Sequence, residues 1–259
     1  MKHLLYFLFF LSATCFAQEP LSTSFIKKTK LKADAVIGVD AFGDLFYIKN
    51  NVLIKKSSTK EITYSNIQLG TLTSANSFNP LKINVFYQAF NTVIILDNRL
   101  AEIYKIDFNS NKIYKNVSHI STGSDHTFWI FNQDLQHLEL YDYSNNSTRA
   151  TTQPVQSSVL DLTSNFNGSW LLTNNFLYQY NYFGSLVYKI KNDGYSSISE
   201  SNENIVIKKG DSLLYLPKNS KTLKEIEVPN LLIKQFFLTN GILYIYDGEF
   251  LYHYQLKTK

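Results

Sequence analysis

The sequence lacks most of the residues and short motifs on which local catalytic sites depend. Its 259 residues contain a single cysteine, Cys15, so an internal disulfide and a cysteine-based metal site are both excluded. The five histidines form no H-x-H or H-E-x-x-H spacing, which leaves a metal site without support. There is also no G-x-S-x-G motif, no phosphate-binding glycine loop and no dinucleotide fingerprint. We therefore assign no catalytic, cofactor-binding or metal-binding residue from the sequence.

The charge excess is small. Lysine and arginine total 25 and aspartate and glutamate total 21, for a formal net charge of +4. The charges are spread along the chain rather than gathered in a basic stripe, so we expect no nucleic-acid partner.

The N-terminus has the pattern of a secretion signal. Lys2 provides the positive start, Leu4–Leu11 forms a short apolar run, and small residues precede a predicted cleavage after Ala17. We predict a signal peptide at residues 1–17 and a mature single domain at residues 18–259. Removing the signal also removes Cys15, the only cysteine, and leaves no transmembrane segment. The alternative is a lipoprotein signal in which Cys15 is lipidated, although Thr14 and Ser12 fit a lipobox poorly.

Aromatic residues are abundant, and their arrangement favours strands. The chain has 18 tyrosines and 19 phenylalanines, which suit strands better than helices. The stretch Gly241–Leu256 is predicted to form two strands joined by the turn Asp247-Gly248, a strong hairpin signal. Both faces of Ile242–Tyr246 are apolar, which is typical of a strand buried on both sides.

This strand–turn–strand unit recurs along the chain. The predicted turns lie at Asn50-Asn51, Asp97-Asn98-Arg99, Asn132-Gln133-Asp134, Asn174-Asn175, Gly210-Asp211 and Asp247-Gly248. A period near 40 residues, with about four strands in each, predicts an all-β, six-bladed β-propeller. The long interval between the first two turns leaves open a seventh, degenerate blade. A β-sandwich or β-helix is a less favoured alternative.

The two ends of the mature chain suggest how the ring closes. The last blade has only three predicted strands, with innermost strand Leu231–Thr239. The lysine-rich strand Ser24–Lys32 precedes the first innermost strand, Ala35–Val39, and has no blade of its own. We predict that it forms the outer strand of the last blade, where alternating lysines suit a solvent-facing edge.

The repeats resemble those of the β-propeller superfamily. Tyr104–Lys112 resembles the strand–turn–strand of quinoprotein-like repeats, with Asn111 in place of the usual glycine, and Leu140–Ser144 repeats its first half. As a whole, the chain resembles uncharacterised secreted propellers of Bacteroidetes-type bacteria. That resemblance implies an envelope location and no particular activity.

A few side chains are candidates for a site, each with a structural interpretation that we favour. Asp125-His126 is the only adjacent acid–base pair, in a loop at the third blade, and we interpret it as a turn in which Asp125 caps its own backbone. His119, His137 and His253 suit hydrogen-bonded positions within or between blades. Two acidic pairs could act as acid and base only if a cleft gathered them: Asp40 with Asp44, and Glu200 with Glu203.

Two tryptophans occupy equivalent positions in their hairpins. Trp129 lies in FWIF and Trp170 in SWLL. Equivalence across repeats favours packing between blades over a platform for sugars. The sequon Asn116-Val117-Ser118 is best explained by chance.

The sequence thus predicts a propeller fold and identifies no catalytic site. We expect an exported, non-catalytic binding or scaffold propeller of the bacterial periplasm or cell surface. It would be a monomer, need no cofactor, and present one ring face to an envelope protein or glycan. The alternative is a glycan-processing or quinoprotein-like enzyme whose site is gathered from several loops. An acidic cluster at the channel mouth would favour the enzyme, and an apolar or aromatic patch there would favour a partner.

Overall fold

Short aromatic and β-branched runs, separated by asparagine, aspartate and glycine turns, form antiparallel strands throughout the part of the chain that the structure describes. This computed structural model describes residues 19–110 and 113–258. The predicted signal peptide, with Cys15, lies outside the described residues, as do Asn111 and Lys112. The described residues form six four-stranded sheets arranged in a ring, so the predicted six-bladed β-propeller is confirmed.

Neighbouring blades meet around a central channel through their innermost strands, which contact one another. In order of blades 1 to 6, the innermost strands are β2 (Ala35–Val39), β6 (Ser74–Asn76), β10 (Val117–Thr122), β14 (Val159–Ser164), β18 (Tyr195–Ser201) and β22 (Gln235–Thr239). The second strands are β3 (Leu45–Lys49), β7 (Ile83–Tyr87), β11 (Thr127–Asn132), β15 (Gly168–Thr173), β19 (Asn204–Lys209) and β23 (Ile242–Tyr246).

The third and outer strands complete each blade toward the solvent. The third strands are β4 (Val52–Lys56), β8 (Thr92–Leu96), β12 (His137–Asp142), β16 (Phe176–Asn181), β20 (Ser212–Leu216) and β24 (Phe250–Leu256). The outer strands are β5 (Glu61–Tyr64), β9 (Glu102–Asp107), β13 (Ser147–Thr151), β17 (Leu186–Lys191), β21 (Lys224–Glu225) and β1 (Thr23–Lys30). Two 3₁₀ helices, Ile67–Leu69 and Gln88–Phe90, are the helical elements of the described residues. Within these residues, no helix is both long enough and apolar enough to span a membrane.

The N-terminal strand closes the ring as predicted. β1 pairs antiparallel with β24, from Thr23 opposite Leu256 to Lys30 opposite Phe250. Most of β1 is exposed on its free edge, where its lysines lie. A second tie joins the N-terminus to blade 5, where Leu21 forms an isolated bridge with Ile226.

The hydrophobic core is divided among the blade interfaces. The described residues form six buried clusters, and each cluster joins two neighbouring blades. Trp129 lies between blades 3 and 4, and Trp170 lies between blades 4 and 5. Both side chains are almost completely buried, so they pack between blades rather than offer a surface for sugars.

Polar side chains also join the innermost strands across blade interfaces. Asp161 Oδ2 accepts a hydrogen bond from the Ile198 amide at 2.8 Å, and Ser199 Oγ accepts one from the Leu238 amide at 3.0 Å. Gln235 Oε1 accepts one from the Val36 amide at 2.7 Å. β-bulges near the starts of β2, β10, β14 and β18 interrupt the ladder to the second strand. Such bulges bend and twist a strand.

One predicted hairpin holds a different place in its blade from the others. Five of the six turns join the second and third strands, but Asp97-Asn98-Arg99 joins the third and outer strands of blade 2. The equivalent turn of blade 2 is the 3₁₀ helix Gln88–Phe90, ended by Asn91 in the left-handed conformation. This explains the long interval between the first two predicted turns without a seventh blade.

The two segments that resemble quinoprotein-like repeats also differ in position. Asp107 ends the outer strand of blade 2, whereas Asp142 ends the third strand of blade 3. Each aspartate accepts amide hydrogen bonds from its own turn. The shared pattern therefore reflects similar turn chemistry at two non-equivalent corners.

Candidate binding site at the channel mouth

The innermost strands open into a cavity at one face of the ring. We call this the mouth face; it carries the loops that join innermost to second strands. The channel-mouth cavity has a volume of about 350 Å³, within the range of small-ligand pockets. Serine, threonine and asparagine line much of it, with two carboxylates and three phenylalanines: Asp40, Asn76, Ser77, Phe78, Thr163, Ser164, Phe166, Ser199, Glu200, Ser201, Asn202, Phe237, Thr239 and Asn240.

Hydroxyl groups link three blades at this end of the channel. Ser164 Oγ lies 2.6 Å from the Thr122 carbonyl oxygen and 2.7 Å from Ser121 Oγ. Asn76 Nδ2 lies 3.5 Å from Ser121 Oγ. The polar wall is therefore held in place by contacts between blades 2, 3 and 4.

Glu200 is the carboxylate next to the end of β18, at the cavity. Its Oε1 accepts hydrogen bonds from Asn165 Nδ2 at 2.8 Å and from the Glu203 amide at 2.6 Å. Its Oε2 is buried and has no hydrogen-bond partner among the described residues. Burial raises the pKa of Glu200, although the hydrogen bonds from the Glu203 amide and Asn165 oppose that shift. The described residues thus satisfy one oxygen of this carboxyl and leave the other, buried oxygen without a donor.

Asp40 is the second carboxylate of the cavity, and its role is partly structural. Its Oδ1 accepts hydrogen bonds from the Phe42 and Asp44 amides, at 2.9 and 3.0 Å, which fixes the turn. Lys55 Nζ lies 3.9 Å from Asp40 Oδ2 and 3.2 Å from Asp44 Oδ2. Asp44 does not line the cavity, so Asp40 and Asp44 form a lysine-bound turn rather than an acid–base pair.

The other predicted acidic pair is also divided. Glu200 lines the cavity, whereas Glu203 points to the surface, with Oε1 3.1 Å from Lys218 Nζ. The structure thus brings one member of each pair, Asp40 and Glu200, to the same cavity from blades 1 and 5.

The mouth face carries several exposed apolar side chains. Phe78 and Phe166 meet edge to face, with ring centroids 5.0 Å apart, and both are about half exposed. Phe42 and Phe183 are 79% and 78% exposed, and Leu81 also lies open on this face. Phe42, Phe78, Leu81 and Phe166 come from loops that join innermost to second strands, whereas Phe183 comes from the loop between the third and outer strands of blade 4, which reaches the same face. We call these five side chains the apolar rim. Exposed apolar side chains beside a cavity can form an interaction surface, and the opposite face also exposes large apolar side chains, among them Ile67, Phe90, Leu135 and Leu232.

Asp125-His126, the adjacent acid–base pair of the sequence, lies in the loop between the first two strands of blade 3. The Asp125 carbonyl oxygen accepts a hydrogen bond from Lys82 Nζ. The His126 ring packs edge to face on Tyr143, with centroids 5.7 Å apart. Neither residue lines the channel-mouth cavity, so the pair has the structural surroundings of a turn.

The remaining histidines lie apart from one another. His119 Nδ1 is 2.9 Å from Ser118 Oγ, and burial lowers the pKa of His119. His137 Nε2 is 3.4 Å from Glu139 Oε1. Burial and the nearby Lys27 lower the pKa of His253 to about 4. Within the described residues, no three His, Cys, Asp or Glu side chains gather as metal ligands would.

Comparison with known proteins supports the fold alone. No protein-family model and no curated protein sequence matches this chain. Among solved structures, a catalytically inactive virginiamycin B lyase from Staphylococcus aureus with quinupristin is similar, at 12% identity and a TM-score of 0.60. That similarity covers 89% of this chain and 99% of the lyase chain.

Two further structures give the same result. A streptogramin B lyase is 9% identical, with a TM-score of 0.59 over 89% of this chain and 98% of its own. A chain of a mitotic checkpoint complex is 11% identical, with a TM-score of 0.60 over 92% of this chain and 94% of its own. The chain therefore has the fold of the six-bladed β-propellers, a class that supports unrelated functions.

Proposed function

We propose that this chain is an exported, non-catalytic binding propeller that presents its mouth face to a partner in the bacterial envelope. The observation that carries the proposal is the apolar rim of the mouth face, in which Phe42, Leu81 and Phe183 are exposed and Phe78 and Phe166 also line the channel-mouth cavity. Burying such side chains against a partner contributes about 1.5–3 kcal/mol for each large apolar group. The partner is a protein or glycan that covers this rim.

Export and location follow from the N-terminal sequence and the resemblance to secreted propellers of Bacteroidetes-type bacteria. The mature protein would begin at Gln18 and work in the periplasm or at the cell surface. Mass spectrometry of the protein purified from its bacterial host tests the cleavage site. A lipidated N-terminus at Cys15 would support the membrane-anchored alternative instead.

Affinity capture from crosslinked envelope tests the mouth face directly. The tagged mature protein is compared with a Phe42→Ser/Phe183→Ser variant and with a control, Ile67→Ser/Leu232→Ser. The control removes exposed apolar side chains from loops of the opposite face, where Ile67 is 92% exposed and Leu232 is 59% exposed. We expect the mouth-face variant alone to lose a stoichiometric partner. Equal capture by all three proteins, or no reproducible partner, contradicts the proposal.

The second candidate function is a glycan-processing or quinoprotein-like enzyme, and Glu200 is the observation that favours it. A buried carboxyl with a raised pKa suits a general acid. Enzyme function requires that Glu200→Gln abolish turnover of a glycan substrate while binding is retained. If the wild-type protein turns over no substrate in a glycan panel, the binding proposal is preferred.

A further inference from the structure

Two carboxylate oxygens of the channel-mouth cavity lack a hydrogen-bond donor. Among the described residues, Asp40 Oδ2 and Glu200 Oε2 are both buried without one. The two residues are only 5% and 8% exposed, respectively. Both side chains line the same cavity although they come from blades 1 and 5.

Such atoms are uncommon because a buried acceptor without a donor loses its interaction with water and gains nothing in return. The chain clearly supplies donors to the other oxygen of each group. Glu200 Oε1 receives two, from Asn165 and Glu203, and Asp40 Oδ1 receives two from its own turn. The free oxygens are therefore the parts of these side chains that remain for an external donor.

The charge of the cavity indicates what that donor is. Among the residues that the structure describes, its lining contains two carboxylates and no lysine, arginine or histidine. Lys55 partly neutralises the negative charge of Asp40. Its Nζ is closer to Asp44, however, and also lies 3.3 Å from the Asn98 carbonyl oxygen. Within the described residues, Glu200 has no ion pair. The cavity is thus complementary to a positive charge, most strongly at Glu200.

The apolar rim indicates which kind of molecule brings the positive charge. Phe78 and Phe166 flank the cavity, and the faces of aromatic rings attract cations. Phenylalanine and leucine offer no hydrogen bonds, so an apolar rim of these residues suits a protein surface better than a sugar. Hydroxyl and carbonyl oxygens of the cavity wall can accept the remaining N–H groups of a guanidinium or ammonium group.

We propose that the channel-mouth cavity receives a cationic side chain, arginine or lysine, from a protein partner docked on the mouth face, with Glu200 Oε2 as its main acceptor. This inference rests on the proposed binding function and names the chemistry of its occupant. The apolar rim would exclude water from the ion pair, which strengthens charge-assisted hydrogen bonds.

The test uses a small cation and its neutral analogue as probes. N-butylguanidinium and N-butylurea have similar shapes and differ in charge. Each is titrated into the mature protein while the NMR signals of residues 199–201 are followed. We expect saturable binding of the cation with a dissociation constant of roughly 1–20 mM, and binding of the urea at least about tenfold weaker.

Two matched variants locate the acceptor. Glu200→Gln keeps the Oε1 atom that Asn165 and Glu203 bind, so it preserves the fold and changes only the free oxygen. Glu203→Gln makes the same charge change on the same loop, outside the cavity. We expect E200Q to weaken butylguanidinium binding about tenfold or more, and E203Q to change it less than about twofold.

The outcomes separate this inference from the proposed function. Equal binding of the two probes, no saturable binding of the cation, or an unaffected E200Q variant overturns the cationic site. Preferential binding of methyl α-glucoside over butylguanidinium would assign the cavity to a glycan. If Phe42→Ser/Phe183→Ser loses its captured partner but E200Q captures it as well as wild type does, the mouth face still binds, and only the cation inference fails.

Discussion

Phe78 and Phe166 lie in edge-to-face contact, 5.0 Å between ring centroids, although they belong to blades 2 and 4. Each follows an innermost strand, Phe78 after β6 and Phe166 after β14. Their contact therefore passes over the mouth-face end of blade 3. Together with Glu200 and Asp40, they bring loops from four blades to one cavity.

We expect this aromatic pair to contribute a measurable coupling energy. A double-mutant cycle with Phe78→Ala, Phe166→Ala and both together, measured by urea unfolding, should give about 0.5 kcal/mol. This is the low end for aromatic pairs, because both rings are partly solvated. A cycle on Phe42 and Phe183, which are also exposed phenylalanines of this face, is the control. A coupling energy near zero for Phe78 and Phe166 would show that the two rings do not interact in solution.

Much of the fold is visible in the sequence because its turns are local. Asp247-Gly248 and Asn50-Asn51 mark hairpins through residues that adopt the left-handed backbone at low cost. The closing strand was also predictable, because β1 has no other blade to join. The second predicted hairpin does form, but it joins the third and outer strands of blade 2 rather than the second and third. Blade 2 makes its equivalent turn with the helix Gln88–Phe90, whereas Asp97 gives a stronger turn signal one strand later.

The candidate site could not be predicted in the same way. Glu200 and Asp40 are 160 residues apart in the sequence, and ring closure alone brings them to one cavity. Glu200 was noticed only as a neighbour of Glu203, which the structure directs to the surface. Phe78 and Phe166 gave no signal among many aromatic residues. Their shared position, just after an innermost strand, becomes informative only when the blades are aligned correctly.

The closing strand should be essential, whereas the C-terminal tail should not. Deleting residues 23–30 removes the strand that pairs with β24, at a cost of about 3 kcal/mol or more, since each lost hydrogen bond contributes about 0.5–1.5 kcal/mol. Trimming Lys257–Lys259 should cost less than about 1 kcal/mol. Thermal and urea unfolding of both proteins provide the comparison.

A milder variant covers the case in which the deletion protein does not fold. The ring of Phe25 lies 5.7 Å from that of Tyr254 on β24, so Phe25→Ala should cost about 0.5–1.5 kcal/mol. If both the deletion and Phe25→Ala are as stable as the trimmed protein, β1 does not close the ring.

Asp161 should make the protein less stable as pH rises. Burial raises the pKa of Asp161 to about 6 from 3.8, although the Ile198 and Leu162 amides favour its charged form. Between these two values the native state binds more protons than the unfolded state. Asp161 therefore makes its full contribution to the free energy of unfolding below pH 3.8. That contribution, up to about 3 kcal/mol, is lost as pH rises to about 6. Asp161→Asn, which keeps one acceptor, should remove this slope from urea unfolding measured between pH 4 and 6.5. Identical slopes for the variant and the wild-type protein would contradict the raised pKa.

His253 should have the opposite effect on the pH dependence of stability, over nearly the same pH range. Its ring lies 4.7 Å from that of Tyr244, and burial, with a smaller effect of Lys27, lowers its pKa to about 4 from 6.5. The unfolded state binds more protons between these values, so stability falls as pH decreases from 6.5 toward 4. After allowance for solvent screening, we expect a loss of about 1–2 kcal/mol. Imidazole NMR signals give the pKa directly, and Lys27→Gln should raise it because a neighbouring positive charge is removed. A measured value near 6.5 in the wild-type protein would show that His253 is solvated and that this part of the blade 6 interface is open to water.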